Sequence, residues 1–270
     1  MESIEKQTIL ITGSTDGLGR EVAKELAAKG ATVLLHGRDA GRAEAAAREI
    51  AEESGKGKPG YYIADLSSLQ EVRELAKKIL SEHERLDVLI NNAGVIQPER
   101  KETEDGVELT FAVNHLSHFL LTRLLLPLLE ESAPARIVNV ASVGQSPIDF
   151  DDVMLMNGYD PMRAYSQSKL ATIMDAFTLA EDLEGTSVTV NALHPATLMD
   201  TKMVRQAFGR SQSSVEEGVR ATLRLAISSD VENTTGHYFD GESEARASRQ
   251  AYDSTARERL KRVSEQLTGL

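Results

Sequence analysis

The chain has 270 residues, no cysteine and a formal net charge of −12. Its length lets it bury roughly three quarters of its extended surface and hold a deep site, while the missing thiols exclude a disulfide framework and a thiolate zinc or redox centre. The acidic balance excludes a protein that tracks nucleic-acid phosphates or lies on an anionic membrane, so any bound anion must meet a local site.

The start, MESIEKQTILITG, lacks a basic region followed by a long apolar one, and no run of 18 or more apolar residues occurs. No membrane span and a cytoplasmic location are therefore expected. No repeat or low-complexity tract divides the chain, and GKGKPG at 55–60 reads as a loop. The expectation is one domain over 1–270.

Apolar runs and helical patterns alternate from the outset. TILIT (8–12) precedes the helical LGREVAKELAAKG, with Gly30 placed for a left-handed cap; ATVLLH precedes RAEAAAREIAEE. YYIAD (61–65) leads to a helix opening at SSLQE, where Ser68 and Glu71 have capping-box spacing. LDVLI ends in NNAG, the long apolar helix ELTFAVNHLSHFLLTRLLLPLL precedes RIVNVAS, and a helix from about Arg163 precedes SVTVNALHP. Strands this apolar are covered on both faces, and repeated strand-helix-strand units cross over right-handed. The predicted fold class is α/β: a Rossmann-type doubly wound parallel sheet of about seven strands with helices on both faces. Such sheets bind ligands at the carboxyl ends of their strands.

After the first strand, TGSTDGLG (12–19) sets Gly13, Gly17 and Gly19 before a helix. Missing side chains admit a pyrophosphate to the backbone, and the helix offers free N–H groups. Gly13, Ser14, Thr15, Gly17, Leu18 and Gly19 are candidate cofactor contacts; an ordinary glycine turn is the alternative. The second strand ends at His36 and Gly37, with no acid to meet an NAD ribose. Arg38 follows, a guanidinium suited to a 2′-phosphate. NADP(H) is favoured, with NAD(H) left open. Asp39 is read as an N-cap and Arg42 as a weaker phosphate contact. Asp65 and Leu66 could flank the adenine, while Asn92, Ala93 and Gly94 let a flat cofactor lie close. Ser142 follows the fifth strand. Tyr165 and Lys169, in RAYSQSKLA, are i and i+4 on one helix face.

In this order TGSTDGLG, NNAG, Asn114, Ser142 and YSQSK resemble the short-chain dehydrogenase/reductase family in its single-domain branch, over nearly the whole chain. FAVNHLSHFLLT, AYSQSKLA, LHP and the tail TGHYFD…EARAS…AYD look like its retinol-dehydrogenase-like subgroup. The resemblance implies a tetrad: Tyr165 as acid/base, Lys169 as its electrostatic partner and a hold on the nicotinamide ribose, Ser142 orienting the carbonyl, Asn114 anchoring a proton-relay water. Pro195, Thr197 and Thr201 are candidate contacts to the nicotinamide end. An ammonium about 5 Å from a phenol, at an effective dielectric of about 20, would lower the phenol by about 2 pK units. Hydride transfer between nicotinamide and a carbonyl or alcohol is thus expected, with a small-molecule substrate and no metal.

Two departures from the family pattern stand out. Ala196 replaces a glycine, and Ser142 and Tyr165 lie 23 positions apart where about a dozen is commoner. The extra segment, near 146–162, could shape the substrate entrance, as could a loop region near 196–214. Met154, Leu155, Met156, Met162, Leu198, Met199, Met203, Val204 and Phe208 suggest an adaptable apolar pocket for a bulky apolar aldehyde, ketone or alcohol, with plain core as the alternative. The resemblance also implies a homodimer or homotetramer through the helices of Asn114 and Tyr165, unless the extra segment blocks it. His115 with His118, and DFDD at 149–152, are weak metal-ligand candidates. Two other functions are carried: a cofactor-binding regulatory protein without catalysis, and an epimerase or dehydratase of the same fold. The full tetrad speaks against the first, the glycine spacing and short C-terminal part against the second.

Overall fold

A computed structural model describes residues 2–270. In chain order the elements are β1 (Thr8–Ile11), α1 (Gly17–Ala28), β2 (Thr32–Gly37), α2 (Ala40–Ser54), β3 (Gly60–Ile63), α3 (Leu69–Glu82) and β4 (Val88–Asn91). The long helix α4 (Leu109–Glu131) follows. Then come β5 (Ala135–Val140), α5 (Pro161–Asp182), β6 (Val188–His194), α6 (Lys202–Phe208), α7 (Val215–Ile227), β7 (Tyr238–Asp240), β8 (Ser243–Ala245) and α8 (Ser254–Thr268).

The sheet runs β3-β2-β1-β4-β5-β6-β7-β8. Every pairing is parallel except β7 with β8. The order reverses beside β1, opening a crevice between the carboxyl ends of β1 and β4. Eight strands stand where about seven were expected. The extra one is the three-residue SEA, turned back by Gly241 and too short and polar to signal itself. The third strand also stops at Ile63, two residues before the end read from YYIAD, although Ala64 N–H still donates to the Gly37 carbonyl.

Side chains alternate across each strand. Ile9 and Ile11 pack with Val22, Leu26, Ile50 and Leu225 of α1, α2 and α7. Leu10 packs on the opposite face with Val72, Leu120 and Ile173 of α3, α4 and α5. Two buried layers therefore clamp the sheet and hold its strand ends in place.

Several caps match the sequence pattern. Asp39 accepts from Arg42 N–H at 2.8 Å and Ser68 from Glu71 N–H at 3.3 Å. Glu71 does not complete a box on Ser68; its carboxylate takes the Asp65 N–H at 2.7 Å. Gly30, with φ +98°, closes the α1 end. By length and hydropathy α4 could cross a membrane, but 78% of its apolar stretch is buried within the fold, as in a core helix. Its first turns widen into a π-turn at Ala112–Leu116, with Asn114 at the centre; such bulges are frequent at functional sites.

Candidate active site

At the crevice, Gly13 and Gly19 of the first loop can be replaced by nothing larger without collision. A Cβ on Gly13 would lie 2.9 Å from Ala93 Cα, and one on Gly19 only 2.5 Å from the Gly13 carbonyl oxygen. Asn92 ties the loop to β4, its Nδ2 donating to the Thr12 and Gly13 carbonyls at 2.8 and 3.1 Å. Asp16 caps α1 by accepting the Gly17 N–H at 2.8 Å. The result is a bare backbone concavity at a helix N-terminus, the shape and polarity that receive a phosphate. The residues therefore fit a dinucleotide.

The expected loop contacts divide by position. Thr15, half-buried, stands against Gly37, where a Cβ would come within 2.5 Å of its Cγ2. Ser14 and Leu18 are buried. Ser14 Oγ donates to the Ile11 carbonyl at 2.9 Å and accepts from His36 N–H at 2.9 Å, so its side chain braces the loop and does not face a ligand. Leu18 belongs to the core beside α7.

Arg38 is exposed just past β2, and Asp39 beside it is committed to its cap. Arg42, expected as a weaker phosphate contact, is exposed on the first turn of α2. Its guanidinium pairs with Asp16 at 2.8 Å, which offsets a carboxylate at the mouth of the anion-binding loop. Asp65 accepts from Ser67 N–H and Oγ at 2.9 and 2.8 Å, and Leu66 is buried.

The four tetrad candidates meet at the ends of β4 and β5. Asn114 Oδ1 accepts from Val95 N–H at 2.7 Å, while its Nδ2 donates to the Val95 carbonyl at 3.0 Å and Ser168 Oγ at 2.9 Å. Lys169 is buried, its Nζ donating to the Val140 carbonyl at 2.8 Å. A Cβ on Gly94 would sit 3.4 Å from both Asn114 Oδ1 and Lys169 Nζ, so that glycine keeps the space between them open. Ser142 is held from three sides: its Oγ accepts from Gly144 N–H at 3.0 Å, and its carbonyl from Gln145 Nε2 at 2.9 Å and Tyr238 Oη at 3.1 Å. Half-buried Tyr165 shares a hydrogen bond with Ser142.

Charge in this cluster corrects the electrostatic expectation. Burial pushes the Tyr165 phenol up from its ordinary value, with the Ser142 bond opposing, and pushes the Lys169 ammonium down to about 8. Lys169 Nζ lies 5.7 Å from the Tyr165 ring centre. Without ligand, removal from water outweighs the attraction the ammonium would offer a phenolate.

Beyond β6, Pro195 is buried, Thr197 Oγ1 lies 3.1 Å from His194 Nε2, and Thr201 caps α6 by accepting from Val204 N–H at 3.3 Å. Thr201 also faces the glycine loop, its Cγ2 3.4 Å from a Cβ placed on Gly17. Pro195, Ala196 and Thr197 line an open, polar cavity of about 260 Å³ with Glu217, Arg220 and Asp240.

The apolar group expected to form one pocket is dispersed. Met154 packs against the core layer that holds α4, Leu155 is buried, Met199 joins the opposite layer, Val204 is buried, Leu198 and Met203 are half-buried, and Met156, Met162 and Phe208 are exposed. The segment near 146–162 is pinned at two points. Arg100 Nε donates to the Met154 carbonyl at 3.1 Å, and Gln250 Oε1 accepts from Ile148 N–H at 2.6 Å.

His115 and His118 point to different partners, Ser264 Oγ at 2.8 Å and Thr12 Oγ1 at 3.0 Å. Asp149 pairs with Arg163, Asp151 with Arg259, and Asp152 accepts the Met156 and Asn157 N–H groups. Among the described residues, no group of three or more His, Cys, Asp or Glu is placed to hold a metal ion.

Sequence reasoning passed over the braces: His36, His118 and Tyr238. Thr12 Oγ1 accepts from the Asn92 and Ala93 N–H groups at 2.9 and 3.0 Å, so its proton goes to His118 Nε2. His118 Nδ1–H then donates to the Asn114 carbonyl at 3.3 Å, joining the π-turn to the loop. The helical spacing of Asn114 and His118 was the available signal.

The family model for short chain dehydrogenase matches residues 7–212. Retinol dehydrogenase 13 of Mus musculus is 39% identical over 99% of this chain and 85% of its own. Retinol dehydrogenase 14 of Homo sapiens is 40% identical over 98% and 87%. The crystal structure of an uncharacterized protein from Mycobacterium paratuberculosis superposes with a TM-score of 0.82 at 33% identity, covering 99% of this chain and 95% of that one. That of a short chain dehydrogenase from Shigella flexneri 2a str. 301 complexed with NADP gives 0.72 at 29% identity, over 88% and 97%.

Proposed function

The chain belongs to the short-chain dehydrogenase family, and from that premise we propose that it is an NADP(H)-dependent oxidoreductase of a bulky, mostly apolar alcohol, aldehyde or ketone. One observation carries the reading: Asn114 and Lys169 flank the space at Gly94, Ser142 and Tyr165 flank the space at Gly144, and Lys169 Nζ lies 5.7 Å from the Tyr165 ring centre, so the four form one cluster.

The glycine loop, Asn92 to Gly94 and the α1 N-terminus would hold the dinucleotide, with Arg38 toward a 2′-phosphate and Pro195, Thr197 and Thr201 toward the nicotinamide end. When bound, the nicotinamide supplies or accepts the hydride. Ser142 Oγ, oriented by Gly144 N–H, donates to the substrate oxygen and fixes it beside Tyr165. Tyr165 gives its phenolic proton to that oxygen in reduction and takes it back in oxidation. Lys169 carries positive charge next to the phenol and to the ribose edge of the site. Asn114 keeps the Val95 backbone and Ser168 in register, so the floor of the site stays rigid.

NADP(H) preference rests on Arg38, on the absence of an acid at the β2 end, and on the commitment of Asp39 to its cap. The substrate class rests on the retinol dehydrogenases among its relatives; the dispersed methionines add no support. In this reading 1–270 acts as one cytoplasmic catalytic domain, with 146–162 and 196–214 bordering the substrate entrance. Assembly through bare faces of α4 and α5 meets an obstacle, because α8 lies there, with Ser264 on His115 and Arg257 and Lys261 paired to Glu181 and Asp182.

A panel of retinoids, aliphatic aldehydes, ketones and alcohols, assayed by NADPH and NADH absorbance with product analysis, tests this. Turnover with NADPH on apolar carbonyls is expected. Cofactor binding without turnover on the panel favours the regulatory alternative, and isomerised or dehydrated products without net redox change favour the other.

A further inference from the structure

His36, next to last in β2, stands at the strand end where an acid would meet the ribose of NAD, yet its ring turns inward and is buried. A backbone N–H can only donate, so Gly13 N–H at 3.1 Å makes His36 Nδ1 the acceptor. The proton then sits on Nε2, which donates to the Ala64 carbonyl at 3.1 Å, just past β3. The backbone of the same residue is also taken: its N–H donates to Ser14 Oγ at 2.9 Å and its carbonyl accepts from Ser14 N–H at 2.9 Å. One residue thus links the glycine loop, β2 and the segment leading to Asp65.

Gly13 has φ +64° and cannot carry a Cβ against Ala93. Its carbonyl is held by Asn92 Nδ2 at 3.1 Å, its N–H by His36. The peptide groups on both sides of this left-handed residue are therefore fixed by side chains.

We propose that His36 is a positioning residue for the dinucleotide: its imidazole, by accepting from Gly13 N–H while anchored on Ala64, sets the orientation of the glycine loop that receives the pyrophosphate. This rests on the reading of that loop as a cofactor cradle. His36 does not touch the ligand; it acts through Gly13.

The two nitrogens can be tested separately, because an asparagine amide reaches about as far as Nδ1 and a glutamine amide about as far as Nε2. His36→Asn keeps an acceptor for Gly13; His36→Gln keeps a donor for Ala64 only. NADPH affinity is measured by fluorescence titration and compared with thermal midpoints of the cofactor-free proteins. His36→Asn is expected to stay within about twofold of the wild type, and His36→Gln to weaken by about tenfold, the loss falling on KM for NADPH and not on kcat, while both midpoints drop. Equal losses of affinity in the two variants, or unchanged affinity in both despite lower midpoints, would overturn the proposal. Nitrogen NMR of the wild-type imidazole gives a check that needs neither variant: the proton is expected on Nε2, and a proton on Nδ1 would overturn the contact. If the wild type binds no nicotinamide cofactor, the cradle reading fails and takes this proposal with it; normal binding with the wrong variant pattern removes this proposal alone.

Discussion

Lys169 Nζ, 5.7 Å from the Tyr165 ring centre, spends one of its three protons on the Val140 carbonyl, and burial has brought its pKa down to about 8. Below that value it is an ammonium able to support negative charge on the phenol; above it the charge is gone. In the free enzyme kcat/KM should therefore fall as pH rises through about 8. A profile flat from pH 7 to 9 would count against a charged Lys169 in the reaction.

Tyr165 has the only phenol bonded to Ser142 Oγ among the described residues. Tyr165→Phe removes the transferable proton and little volume, so kcat should drop by about 10²–10⁴-fold. NADPH affinity, read by fluorescence titration, should stay near that of the wild type. Retained turnover would dismiss the assignment of the acid.

Arg38 has the exposed guanidinium next to the β2 end, since Arg42 is paired with Asp16. Loss of a charge-assisted contact to a phosphate costs about 1.5–3 kcal/mol, so Arg38→Ala should weaken NADPH by roughly 10-fold to 100-fold and leave NADH unchanged. Isothermal titration with both cofactors decides it, and parallel losses would remove Arg38 from the phosphate.

Four buried imidazoles, His36, His115, His118 and His194, are pushed below their ordinary value, the first three strongly. Burial lowers His36 and His115 to about 4 and His118 to about 3, with Lys169 adding to the shift at His118. Unfolded histidine titrates near 6.5. The unfolded chain thus binds more protons between the two values, and stability is full above about 6.5 and lost as pH falls toward 4. Unfolding free energies from urea titrations between pH 7 and 4 should decline by several kcal/mol, less steeply in His115→Gln, whose amide can keep the Ser264 bond without titrating. Parallel slopes would exclude His115 as a contributor.

Much of this molecule was legible before any coordinates. TGSTDGLG after an apolar run announces a turn that only glycine permits, and Gly13 and Gly19 do stand where a Cβ would collide. Asp39 and Ser68 reveal themselves as caps because a cap is a contact over three residues. Tyr165 and Lys169 share a face because the helix repeat alone requires it. Less visible were contacts between side chains far apart in sequence. Arg42 looks free for a phosphate until Asp16, 26 residues earlier, is brought to it. His36 and His118 carry no motif, yet they hold Gly13 and Thr12. The methionines read as one apolar wall, but the packing divides them between core and solvent.

The amino-acid sequence by itself determined the strand-helix alternation, the bare backbone of the cofactor loop and the order of the four reactive side chains. Each of these is written in local periodicity or in the absence of a Cβ. Tertiary structure alone decided the protonation of those side chains and the partners that orient them. Burial removes Tyr165 and Lys169 from water and reverses the charge preference that their spacing implies, and two imidazoles that only folding carries to the loop join Ser14 and Asn92 in bracing it.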